Sequence, residues 1–291
     1  IGYSYPPQSH PPRCTDANDG ARTTLMQAFP LAIMASILYL GAASWQGLTL
    51  LRRVPQRPAL VRVLGLLGWL FHIPIVIKLV GQSPGLMPGL STSIAALTAL
   101  MILLLLLVSL AKPVLNVVVA LFPIAGLVLL LAVGLPSPER TDGMSAGIAL
   151  HAISSALAFG VLFIAACQAV LLGLQNQALR QHHVRGMVQV LPPLTTMERV
   201  LFELIWAGMV LLTLSIISGF LFLDNMIAQH LVHKTILSLA AWVIFAILLL
   251  SHHILGWRGM RAVRWTLGGC LVLLIAYFGS KFVLEILLSR T

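Results

Sequence analysis

Charged side chains, acidic ones above all, are scarce in this chain. Asp and Glu together number 8 among 291 residues, and charged residues make up only 9%. A soluble domain usually carries charge at about a quarter of its positions. Hydrophobic residues instead reach 59%, and apolar runs of the roughly 20 residues needed to cross a bilayer recur throughout. The shortage of charge excludes a soluble globular protein and predicts a membrane protein.

Residue patterns typical of metal chemistry and proton relays are also missing. The three cysteines, Cys14, Cys167 and Cys270, form no CxxC or zinc spacing, so neither a disulfide framework nor a cysteine metal site is expected. No carboxylate accompanies a histidine at the HExxH spacing of hydrolytic zinc sites. Glu203 and Glu285 stand alone in apolar surroundings, which ranks a proton- or metal-coupled transporter last among the possible functions.

The apolar runs predict an all-α polytopic membrane protein, with about eight transmembrane helices in one bundle. Proline or glycine marks most breaks between them. The predicted spans are 27–50, 59–81, 91–111, 114–134, 146–174, 197–223, 233–255 and 265–288. We expect residues 26–291 to form one membrane domain. Residues 1–25, which are polar and Pro-rich and lack the apolar stretch of a signal peptide, are expected to be a disordered extension.

The basic residues predict the orientation of the spans. The net charge of +10 does not gather into one patch, so nucleic acid is not an expected partner. Basic residues concentrate in the odd-to-even connections, whereas the even-to-odd connections carry only Arg140 and Lys234. The positive-inside rule then predicts a bacterial inner-membrane protein with both termini in the periplasm. In the longest inner connection, Thr195 and Glu198 are spaced as a capping box that starts the sixth span.

Three histidines in the predicted spans are the candidate site residues: His72 in the second, His151 near the outer start of the fifth and His252 near the inner end of the seventh, beside His253. An ionisable residue within a span is a candidate functional residue that faces the bundle interior. The alternative is structural, because a neutral histidine can simply hydrogen-bond a neighbouring helix. Pro74 follows His72 and should free a backbone carbonyl, which we expect to orient the imidazole through its second nitrogen.

Paired histidines from two helices in an apolar bundle suit a b-type haem, whose iron takes two axial imidazoles. The haem propionates would need cations nearby. Arg258 and Arg261, three residues apart and expected on one helical face, would serve. Their alternative role is to anchor the topology by meeting lipid phosphates.

Residues 145–290 resemble the cytochrome c assembly family of membrane proteins (the CcsA, ResC and CcmC type), and most closely its HemX/YpjD branch. The likeness is carried by long ordered segments: LHAISSALAFGVLFIAACQAVLL, LPPLTTMERVLFELIWAGMVLLTLSIISGFLF and LLLSHHILGWRGMRAVRWTLGGCLVLLIAYFGSKFVL. The first four spans match loosely apart from His72. The resemblance implies that His72 and His252 are an intramembrane pair of haem ligands and that His151 is an outer-face ligand. His253 would then be only a neighbour of His252.

One part of the family pattern is missing. Members that deliver haem carry a Trp-rich WGxxWxWD platform outside the membrane, between the spans that match 197–223 and 233–255. Here that interval contains no such platform, and the second outer histidine is absent as well. His230 or His233 would have to substitute for it. The resemblance therefore implies membrane haem binding without this means of presenting haem to an apocytochrome.

Two functions of different classes remain open at the level of sequence. The first is a haem-binding membrane protein for haem handling or cytochrome c biogenesis, not an enzyme, with the lipid bilayer and haem as partners. The second is a non-haem accessory or scaffold subunit of another membrane protein, such as an ion exporter.

The topology is directly testable. A reporter fused after Arg185 should behave as cytoplasmic and one after Ser137 as periplasmic, because the basic residues concentrate on the inner connections. Alkaline phosphatase and green fluorescent protein fusions would measure this. The reverse pattern would overturn the inner and outer assignment of every histidine.

Overall fold

The computed structural model describes residues 14–81, 90–134, 146–181, 190–222 and 232–282. In these ranges the chain forms eight long α-helices and no β-strand. They are α1 Cys14–Leu50, α2 Pro58–Gly81, α3 Leu90–Ala111, α4 Val118–Gly134, α5 Ala146–Arg180, α6 Leu194–Phe222, α7 Val232–Leu255 and α8 Met260–Phe282, with a 3₁₀ turn at Leu115–Val117.

All eight helices are long and apolar enough to cross a membrane. These segments form helices because the hydrocarbon of the bilayer offers no hydrogen-bond partners, so the backbone must satisfy its hydrogen bonds within its own segment. The predicted eight-span membrane fold is therefore confirmed. α1 begins inside the expected extension, so residues 14–25 of that segment are helical, and residues 1–13 lie outside the described ranges. α8 begins at Met260, five residues before its predicted start.

The helices pack as two groups of four. In the first group α1 contacts α2 and α4, and α3 contacts the same two helices; in the second, α5 and α7 each contact α6 and α8. A packed face between α3 and α5 joins the groups. Small residues allow α1 and α4 to pack closely. The Ser36 hydroxyl of α1 donates to the Gly126 carbonyl of α4 at 3.0 Å. α1 also buries Ala28, Ala32, Ala35 and Ala42.

The odd-to-even connections meet at one end of the bundle, here called the basic end and comprising the described residues 51–57, 112–114, 181, 190–193 and 256–259. Two side-chain contacts tie it together. Lys112 after α3 forms an ion pair with Glu203 of α6 at 2.5 Å, and Gln175 of α5 donates to the Pro192 carbonyl at 3.1 Å. The ion pair therefore joins the two helix groups at this end, and the Gln175 hydrogen bond fixes the start of α6 against α5.

Gly68 of α2 provides a test of the first group. A Cβ there would lie 2.6 Å from the fully buried Tyr39 ring, whereas one at Gly41 would meet nothing within 4 Å. We expect Gly68→Ala to lower the free energy of unfolding by about 1–3 kcal/mol, because the ring must shift in a packed interior. Gly41→Ala should leave it unchanged or raise it. Thermal melting in detergent measures both, and equal melting temperatures would contradict the packing of α2 on α1.

Candidate functional site

His72 is fully buried in the first helix group. Its Nδ1 lies 3.2 Å from the Tyr39 hydroxyl of α1, and the ring also interacts with the backbone of Ala95 in α3. Its buried Nε2 has no partner with hydrogen-bond geometry in the described part of the chain. The expectation that the carbonyl freed by Pro74 orients this ring is wrong, because the hydroxyl that meets Nδ1 comes from another helix. In the sequence, Tyr39 stands out only as a tyrosine within an apolar span, which does not identify it as the partner of His72.

His252 lies at the basic end, half-buried near the end of α7. Its ring stacks on Phe202 of α6, with centroids 3.5 Å apart and planes 17° from parallel. Its Nδ1 lies 2.8 Å from the Trp257 carbonyl oxygen. A carbonyl oxygen only accepts, so Nδ1 carries the hydrogen and donates it. In the neutral ring this leaves Nε2 as the atom with a free lone pair.

The turn after α7 is what brings the Trp257 carbonyl back onto His252. Gly256 and Gly259 have φ of 64° and 59°, a left-handed conformation that glycine adopts without steric cost. The Gly259 N–H donates to the Glu198 carboxylate of α6 at 2.6 Å. Glu198 and Phe202 are four residues apart, so one face of α6 holds both the turn and the imidazole.

Glu198 therefore has a role that its spacing did not predict. A capping box pairs the glutamate with the start of its own helix, whereas this carboxylate accepts from the turn between α7 and α8. α6 instead begins at Leu194, with the Pro193 carbonyl accepting from Thr196 and Met197. The two prolines before it hold the chain extended up to that start.

The neighbours of His252 are more exposed than it is. His253 points to the surface, with its ring centroid 6.5 Å from that of His252. Arg258 and Arg261 are exposed as well. The expectation that they share one helical face is wrong, because Arg258 lies in the glycine turn and only Arg261 is on α8. The turn sets their relative position, and helical periodicity does not.

His151 of α5 lies at the opposite end of the bundle and is half-buried. Its Nδ1 lies 2.8 Å from the Ser215 carbonyl of α6. The carbonyl again requires Nδ1 to donate and leaves Nε2 with its lone pair. The same hydrogen-bond arrangement thus occurs at both ends of the α5–α8 group.

The contacts do not bring His72 and His252 together. The ring of His72 touches α1 and α3, whereas that of His252 touches α6 and the turn before α8. No group of three or more metal-ligating side chains occurs among the described residues. Glu285 and four histidines lie outside the described residues, namely His10, His182, His183 and His230. His233 lies on α7, but its side chain is not described.

The chain is similar to several known proteins. Residues 58–288 match the family model described as Cytochrome C assembly protein. The chain is 34% identical over 149 residues to the "Inner membrane protein YpjD" of Escherichia coli K12, covering 51% of this chain and 55% of that protein. It is 34% identical over 144 residues, 49% of this chain and 53% of the relative, to an "Uncharacterized 28.8 kDa protein in nifR3-like 5'region" of Azospirillum brasilense.

The matched region spans little more than half the length of these curated relatives. No solved structure matches the chain. The family match covers seven of the eight long helices of the described chain and includes His72, His151 and His252. The chain therefore belongs to the cytochrome c assembly protein family.

Proposed function

We propose that this protein is a multi-pass inner-membrane protein that binds haem and takes part in haem handling. Family membership supports a haem-handling role in general. The name of the Escherichia coli relative and the eight apolar helices support a location in the inner membrane. The proposed orientation follows the positive-inside rule, with the basic end in the cytoplasm and both termini in the periplasm.

The observation that carries the proposal is the fixed tautomer of His252. Ligating histidines typically donate their other ring N–H to a carbonyl or carboxylate, which orients the ring and raises its basicity. His252 has this arrangement through Trp257, and its ring is further held by Phe202. The lone pair on its Nε2 would hold the iron of a b-type haem, a metal that imidazole nitrogen binds in this class of cofactor.

His72 is the proposed second ligand of the intramembrane site, and His151 the proposed ligand at the outer face. Among the described residues, the buried Nε2 of His72 has no partner with hydrogen-bond geometry, and burying such a nitrogen is costly, so a ligand would offset that cost. If Nε2 ligates, Nδ1 carries the hydrogen and donates it to the Tyr39 hydroxyl. Arg258 and Arg261 are the proposed cations for the propionates, because both are exposed beside the His252 turn.

A second candidate function is a non-haem scaffold for another membrane protein. It is favoured by one observation. The Tyr39–His72 contact lies wholly inside the first helix group, where a polar contact between two helices stabilises their packing. Under this function His252 would serve only to close the turn between α7 and α8.

Visible spectra of the protein purified after haem-supplemented expression distinguish the two functions. The wild type should show the Soret and split alpha bands of a reduced low-spin haem. His72→Ala and His252→Ala should each abolish bis-histidine ligation, because each removes one of the two proposed nitrogen ligands.

His253→Ala is the matched control, since this exposed neighbour should leave the spectrum unchanged. A colourless wild-type protein would favour the scaffold. A His72→Ala spectrum identical to wild type, with loss only in His252→Ala, would keep the haem but remove His72 as its ligand.

Glu198 tests whether the turn positions His252. Glu198→Ala removes the acceptor for the Gly259 N–H, so we expect about 1.5–3 kcal/mol less stability and a lowered haem content. Glu198→Gln keeps an acceptor and should be milder. Glu203→Gln, the other glutamate of α6, is the control because its partner is Lys112. Haem content unchanged in Glu198→Ala, with the fold intact, would show that the turn is held by other contacts.

A further inference from the structure

A cleft of about 460 Å³ opens at the basic end, and none of the three candidate histidines lines it. It lies between the connection that follows α1 and the one that precedes α6, and seven residues line it. Arg52, Arg53, Gln56 and Thr49 provide polar groups, and Val190 provides the wall from the second helix group. An occupant of this cleft would therefore touch both halves of the protein.

The charge of the lining is of one sign. None of the seven residues is acidic, and two are arginines. A guanidinium offers a planar fork of N–H donors that matches the oxygens of phosphate. A concave site with this lining fits an anion that carries several acceptor oxygens.

The backbone at Arg52 is held in a conformation that suits glycine better than arginine. α1 ends in a Schellman motif, in which the Arg53 N–H donates to the Leu48 carbonyl and the Arg52 N–H to that of Thr49, both at 2.9 Å. Arg52 occupies the left-handed position with φ of 59°, where a side chain is sterically unfavourable. The motif alone would favour glycine here, and the arginine at this position is one of the residues that line the cleft.

The position of the cleft relative to the bilayer indicates the source of the anion. The spans of α1 and α2 cover Ala28–Leu50 and Pro58–Val80, so residues 51–57 emerge where the hydrocarbon ends. The phosphates of lipid headgroups occupy this layer, and basic pockets between helices on the cytoplasmic side bind anionic headgroups. Unlike the proposed haem site, this argument requires none of the histidines.

We propose that the cleft binds the phosphate group of an anionic lipid headgroup and joins the two helix groups through it. Arg53 and Arg52 hold the phosphate oxygens, and the Val190 side lets the bound lipid bridge the connections after α1 and α5.

The test is lipid binding by the full chain, measured by native mass spectrometry and by thermal melting after delipidation. Phosphatidylglycerol should bind and raise the melting temperature, whereas phosphatidylcholine should have little effect. Arg53→Gln should weaken phosphatidylglycerol binding at least tenfold. Arg57→Gln is the matched control, because this exposed arginine of the same connection does not line the cleft.

Arg52→Gly separates binding from folding. It should melt no lower than wild type without lipid, because glycine suits the left-handed position, yet lose most of the rise caused by phosphatidylglycerol. Equal losses in Arg57→Gln and Arg53→Gln would overturn the site in favour of general surface charge. If inorganic phosphate alone reproduces the rise and displaces the lipid, the phosphate chemistry would stand and the lipid would be overturned as its source.

Discussion

The packing of α5 is the constraint on which the rest of the bundle depends. In the most hydrophobic stretch of α5, 72% of the residues are buried, against 22–50% in the corresponding stretches of the other seven spans of the described chain. α5 contacts α6 and α8 within its own group and α3 across the junction. In lipid no hydrophobic force drives helices together, so close packing of such a central helix must supply the cohesion. Both ends of the second group are then set by hydrogen bonds that α5 and α6 position.

Much of the fold follows from composition, for a physical reason. Hydrocarbon admits few ways to satisfy a backbone, so the length of an apolar run nearly determines a helix. The start of α8 lies five residues before its predicted position, because the prediction followed the apolar run and Arg261 and Arg264 precede that run. In the structure they lie on the first turns of a helix that begins directly after Gly259. Charge predicts the edge of the membrane, which is not always the end of a helix.

The candidate site was predictable only in part. Histidines inside apolar runs are candidate site residues because placing an imidazole in hydrocarbon costs free energy. The family resemblance then selected three of them. Their partners did not follow from spacing. Tyr39 is 33 residues from His72 and Glu198 is 61 residues from Gly259, and each pair meets only through helix packing. Whether His72 and His252 share one ligand stays a prediction, since no local pattern decides a distance between two helix groups.

The ion pair between Lys112 and Glu203 has a consequence for the order of synthesis. The glutamate is translated about ninety residues after the lysine, which at roughly 5–20 residues per second is an interval on the order of 5–20 s. During most of that time α5 is still incomplete, and Lys112 lacks its Glu203 counter-charge throughout. Its side chain is 43% exposed even in the finished protein, so water can solvate the ammonium meanwhile. The first four helices are thus expected to assemble as a unit inside the insertion machinery before the second group emerges to complete them.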